Sequence, residues 1–134
     1  MKELIVEASV NYLDEVLGFV NEEIERHNCP PELQNEIDIA VEEIFVNIAR
    51  YAYKPAKGNV TVCIFIGEEI VIRFEDTGKP YNPLEQAAPA LDKPLMERKI
   101  GGLGIFMVRQ LMDEVVYSFV DNKNILIIRK KINI

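Results

Sequence analysis

An α+β fold with one helix-covered sheet is predicted by three features of the 134-residue sequence. Four of the alternating apolar segments lie in two neighbouring pairs, each joined by a short turn, which reads as antiparallel hairpins. A long segment beginning near residue 31 carries its apolar residues at helical spacing. The remaining amphipathic stretches lie outside the hairpins, so the order is β-α-α-β-β-loop-α-β-β and not an alternation of strands and helices. The length fits one domain spanning residues 1–134.

Residues 3 to 7 (Glu-Leu-Ile-Val-Glu) form the first strand. Ser9 is the expected N-cap of a helix running to about His27, in which Tyr12, Leu13, Val16, Leu17, Val20 and Ile24 recur at helical spacing. Cys29-Pro30-Pro31-Glu32 breaks that helix and opens another, since proline and an acid suit a first turn. In the second helix Leu33, Ile37, Ala40, Val41, Ile44 and Ile48 share one apolar sector, with Glu36, Glu43 and Asn47 on its flank. Residues 53 to 58 end it.

Two strands follow, 59 to 66 and 69 to 75, across a Gly67-Glu68 turn. Val60, Val62, Ile64 and Ile66 lie on one face of the first, and Ile70, Ile72 and Phe74 on one face of the second. Residues 76 to 100 hold four of the seven prolines and read as a long binding loop or lid. Gly101-Gly102-Leu103-Gly104 opens a third helix carried by Ile105, Phe106, Val108, Leu111 and Met112. Strands 114 to 120 and 124 to 132 close the chain across Asp121-Asn122-Lys123.

Composition narrows the function. With 49% hydrophobic and 28% charged residues, the chain is neither a disordered tail nor a disulfide mini-protein. Fifteen basic against 22 acidic residues leave a net charge of −7, and the one dense basic run is Arg129-Lys130-Lys131, which argues against nucleic acid as a direct partner. Cys29, Cys63 and the single His27 have no metal-site spacing, and the two cysteines read as free thiols. No signal region and no run of about eighteen apolar residues is present, so a cytoplasmic location off the membrane is expected.

Three clusters carry chemical potential. Glu43 and Asn47, one helical turn apart, either border solvent or face a cleft, where a carboxylate activates a nucleophile and an amide oxygen ligates Mg²⁺. Asp76-Thr77-Gly78-Lys79-Pro80 follows a strand: either a turn, or a carboxylate that accepts from an exocyclic amine beside a glycine that permits close approach. Gly101-Gly102-Leu103-Gly104 either serves tight helix packing or offers backbone N–H groups to phosphate. No Gly-Lys-Ser/Thr follows any glycine cluster, so a P-loop is absent.

In this order the clusters resemble the N, G1 and G2 boxes of the Bergerat-fold (GHKL) ATPases. The nearer similarity is to the anti-sigma factor serine/threonine protein kinases. Asn47-Ile48-Ala49-Arg50-Tyr51-Ala52-Tyr53 is similar to their extended N box, with Tyr51 where many relatives carry histidine. Gly101 through Val115 is similar to their G2 segment and the strand after it.

The resemblance implies a histidine-kinase-like two-layer α/β sandwich, its mixed, largely antiparallel sheet covered on one face by helices, with an ATP lid. It implies ATP and Mg²⁺ as cofactors. Glu43 would be the catalytic base and Asn47 the Mg²⁺ ligand. Asp76 would bind adenine, with Gly78 and Pro80 beside it. Gly101, Gly102, Leu103 and Gly104 would receive phosphates under a lid of roughly residues 81 to 100, from which Arg98 and Lys99 would reach the γ-phosphate. The implied partners are an antagonist protein carrying the phosphorylated serine, a sigma factor or other regulator, and a second copy as homodimer. A nucleotide-gated binding module without phosphoryl transfer, or a detached histidine-kinase ATPase domain, are the alternatives.

Overall fold

Alternation and helical periodicity place the elements close to where the sequence predicts them. The computed structural model describes residues 1–53, 56–85 and 100–132. Within it the order is β1 (Lys2–Glu7), α1 (Leu13–Arg26), α2 (Pro31–Tyr51), β2 (Asn59–Ile66), β3 (Glu69–Asp76), α3 (Ile100–Leu111), β4 (Glu114–Val120) and β5 (Lys123–Lys131).

Local chemistry explains the boundaries. Ser9 caps as expected, its hydroxyl accepting from the Asn11 N–H at 3.2 Å, but the turn it caps is a 3₁₀ turn over Val10–Tyr12. Such turns commonly precede an α-helix, and α1 starts only at Leu13. It stops where Asn28 takes a left-handed φ of 55°, a conformation asparagine tolerates. Pro31 stands in the first turn of α2, where its missing N–H costs no hydrogen bond. Between β4 and β5, Asp121 and Asn122 have φ of 52° and 65°, the pair of positive angles that a two-residue hairpin turn needs. The expected turn residue Lys123 is instead the first of β5, paired with Val120.

The strands form one sheet in the order β1-β2-β3-β5-β4, and all four pairings are antiparallel. Val60, Val62 and Ile64 of β2, Ile70, Ile72 and Phe74 of β3, and Leu126 and Ile128 of β5 point to one face. Val16, Val20 and Ile24 of α1 and Ile37, Val41, Ile44 and Phe45 of α2 bury against it in a single core. The opposite face leaves Ile5, Phe65 and Val116 exposed. This is the two-layer α+β arrangement expected from the sequence. No helix among the described residues is long and apolar enough to cross a membrane.

Two residues of α2 test the layering. Phe45 is fully buried, whereas Ile39, on the same helix, is 39% exposed. Phe45→Ala is expected to cost about 3–5 kcal/mol through lost burial and a residual cavity. Ile39→Ala is expected to stay within about 0.5 kcal/mol of wild type. Urea denaturation of both checks this; equal losses would refute the orientation of α2.

Candidate functional site

Once the apolar sector of α2 is seated on the sheet, the flank carrying Glu36, Glu43 and Asn47 turns toward α3. Glu36 is used structurally: Lys130 of β5 reaches it at 3.0 Å and also donates to the Leu111 carbonyl at 2.7 Å, tying α2, β5 and the end of α3 together. Glu43 lies half-buried against Gly104, where a Cβ would overlap its Oε2 atom. Burial, with the neighbouring Glu42 charge adding to it, pushes the Glu43 carboxyl above its usual range, while Arg50 opposes the shift.

One turn beyond Glu43, Asn47 lines a cleft between α2, α3 and the ends of β3, β4 and β5. Its walls are apolar: Ile44, Ile48 and Ala52 from α2 and the residue after it, Phe74 from β3, Ile105 from α3, and Leu126 from β5. A mostly apolar cleft with a few placed polar groups suits a flat organic ligand.

Asp76 is the buried carboxylate of that cleft, only 6% exposed. Its Oδ1 accepts from the Gly78 N–H and from Asn124 Nδ2, both at 2.9 Å. Among the described residues its other oxygen, Oδ2, has no hydrogen-bond partner. Burial raises the Asp76 carboxyl above its ordinary 3.8, and the hydrogen bonds from Asn124 and Gly78 pull against that.

The loop that holds Asp76 is clamped to the end of α2. The Lys79 N–H donates to the Ala52 carbonyl at 3.0 Å, and a Cβ on Gly78 would overlap that same carbonyl oxygen. Gly78 is thus required by the approach of two backbones. Tyr53 adds a second clamp: its hydroxyl donates to the Asn59 carbonyl at 2.7 Å and accepts from the Thr77 N–H at 2.8 Å. Gly58 leaves room for the Tyr53 ring, which a Cβ there would overlap.

Asn47 and Asp76 therefore line one cleft, with Gly78 behind Asp76 and Glu43 one turn along α2 from Asn47. Pro80 is exposed beside them, between the cleft-lining residues Lys79 and Tyr81. Gly101, Gly102 and Leu103 lie in the first turn of α3, where a helix leaves backbone N–H groups unpaired. Gly104 sits a turn further in, and its observed part is to make room for Glu43. Arg98, Lys99 and most of the expected lid lie outside the described residues.

Sequence reasoning missed Asn124 and Tyr117, which also line the cleft. Asn124 is 7% exposed at a β5 position in phase with the buried Leu126 and Ile128. A polar residue on the buried phase of an alternating strand was the available signal.

Asp76 makes a prediction with a definite sign. Because its folded carboxyl is raised, the folded state keeps a proton over a range above 3.8 in which the unfolded chain has released it, so ionising it costs stability as pH rises through that range. Asp76→Asn abolishes the ionisation. The variant is expected to gain stability relative to wild type as pH rises above about 4 and to lose that advantage on the acid side. Urea denaturation at several pH values measures it; a pH-independent difference would contradict the assignment.

Comparison with known proteins places the chain in a family and fold. The histidine kinase-like ATPase domain family matches residues 6–130. The serine-protein kinase RsbW of Bacillus cereus is 27% identical over 104 residues, covering 74% of this chain and 59% of that protein. An anti-sigma F factor of Thermoanaerobacter is 29% identical over 93 residues, covering 69% of this chain and 65% of that protein. The matches thus span about three-fifths of the length of these curated relatives.

Among solved structures, the RsbU and RsbW domains of Rv1364c from Mycobacterium tuberculosis align with a TM-score of 0.66 at 14% identity, covering 98% of this chain and 32% of that one. The histidine kinase domain of the Erythrobacter litoralis blue-light activated kinase EL346 aligns at 0.55 and 18% identity, covering 90% and 61%. Those two likenesses speak to the fold. With nearly its whole length matched and the cleft built at the end of the sheet, the chain belongs to the histidine kinase-like ATPase domain family.

Proposed function

We propose that the chain is an ATP-binding anti-sigma regulatory factor with serine protein kinase activity, phosphorylating an antagonist protein in a partner-switching pathway. The observation that carries the reading is the juxtaposition of α2 with the end of β3: half-buried Glu43 against α3, Asn47 on the cleft wall, and Asp76 with an unengaged oxygen in that cleft. The names of the relatives, serine-protein kinase and anti-sigma F factor, support it. In this reading the chain acts in the cytoplasm, where sigma factors work.

The donor set fits the nucleotide. Asp76 offers an acceptor to an exocyclic amine, and the apolar walls suit the faces of a base. Asn47 supplies the kind of oxygen that Mg²⁺ takes from a protein when phosphates and water complete its shell. Asn47 would hold the ion there, and the bound cation would supply charge neutralisation at the phosphates. The first turn of α3 would direct backbone N–H groups to phosphate oxygens.

Glu43, with its raised carboxyl, would take the proton of the substrate serine. The serine oxygen would bond to the γ-phosphorus as the bond to the β–γ bridging oxygen breaks, leaving ADP. Arg98 and Lys99 would neutralise γ-phosphate charge from the lid.

Thermal unfolding with and without Mg-ATP is the first test. Ligand at a hundred times Kd adds about 2.7 kcal/mol, roughly 10 °C for a domain of this size. Glu43→Gln is expected to keep that shift and lower phosphoryl transfer to a serine-bearing partner by about a hundredfold or more. Asn47→Ala is expected to weaken Mg-ATP far more than metal-free nucleotide, read by titration calorimetry. Binding without transfer in the wild type would leave a nucleotide-gated module in place of a kinase.

A further inference from the structure

Asn124 has the most heavily used side chain at the site. Its Nδ2 donates to Asp76 Oδ1 at 2.9 Å, to the Lys79 carbonyl at 2.8 Å and to the Gly78 carbonyl at 3.4 Å. Its Oδ1 accepts from the Tyr81 N–H at 3.1 Å and from the Tyr117 hydroxyl. Turned end for end, the amide would set its oxygen against the Asp76 carboxylate and the Lys79 carbonyl, and an N–H against the Tyr81 N–H, so its orientation is fixed. The Tyr117 hydroxyl donates to the oxygen end and tethers the amide in place, with its donor end on Asp76.

We propose that Tyr117 and Asn124 are positioning residues that set base discrimination at Asp76: the hydroxyl locks the amide, and the amide engages Oδ1 so that Oδ2 is offered as an acceptor only. The proposal rests on the nucleotide reading above. Adenine presents an amine at the edge where guanine presents a carbonyl, so an acceptor-only carboxylate favours the first and repels the second.

Burial works against this arrangement, because a carboxyl held out of water tends to keep its proton, and a protonated carboxyl has an O–H to give to a carbonyl. The Asn124 amide and the Gly78 N–H are the groups that oppose protonation. The other titratable side chains lining the cleft are Lys79, Tyr51, Tyr81 and Tyr117. Glu85, just after the cleft-lining Pro83, acts electrostatically on Tyr117. Loosening the amide frees Asp76 to take a proton and to accept guanine.

Titration calorimetry of the full chain with Mg-ATP and with Mg-GTP tests this in the wild type, in Tyr117→Phe and in Asn124→Asp, which keeps the shape but has no amide donors. The wild type is expected to prefer ATP. Each variant is expected to lower the ATP-to-GTP affinity ratio by about tenfold, largely through gained GTP binding. A merely structural role would weaken both nucleotides in proportion and leave the ratio intact. An unchanged ratio in Tyr117→Phe, which removes one hydroxyl and no buried volume, overturns the proposal while the nucleotide reading stands. A wild type that binds ATP and GTP equally overturns it as well, and one that binds neither overturns both.

Discussion

The seam between β3 and β5 joins two hairpins that are otherwise local structures. β2 with β3, and β4 with β5, are close in sequence and need only short turns. Their union sets Asp76 opposite Asn124, 48 residues away, and aligns Phe74 with Leu126 and Ile72 with Ile128. Strand registers move in steps that exchange faces, so a slip of one residue would carry Leu126 and Ile128 out of the core and Asn124 away from Asp76. The apolar pairs along the seam hold the register. The polar pair at its end is the floor of the cleft.

The second support is the azimuth of α2. Ile37, Val41, Ile44 and Phe45 seat the helix on the sheet, and the residues bordering that sector then have little choice of direction. Glu43 and Asn47 face α3 and the cleft for that reason, and Lys130 pins the same flank further back. Two glycines allow the elements to close up: Gly78 under the Ala52 carbonyl and Gly104 beside Glu43. Motif glycines that look reserved for a ligand therefore also serve the packing that creates the ligand's cleft.

Chemically distinctive residues are legible in the sequence. Glu43, Asn47, Asp76 and Gly78 stand at the spacings from which helical and strand geometry follow directly, and three of them meet where a cleft requires them. The walls are not legible, because Ile44, Phe74, Ile105 and Leu126 differ in no local way from other core residues. Asn124 and Tyr117 escape notice because a polar residue near a hairpin turn, and a tyrosine in a strand, look ordinary until the partner strand is known. The motif alone marks Gly104 as a phosphate contact, and its place against Glu43 depends on how α2 and α3 pack.

Periodicity, turn chemistry and caps are short-range, and they suffice for the order of elements, their approximate ends, the two hairpins and the helix-covered face. The sheet order, the Asp76–Asn124 register and the meeting of α2 with α3 depend on residues tens of positions apart. There the free energy comes from burying apolar surface between elements and from completing buried hydrogen bonds, and neither term exists until the elements are in contact.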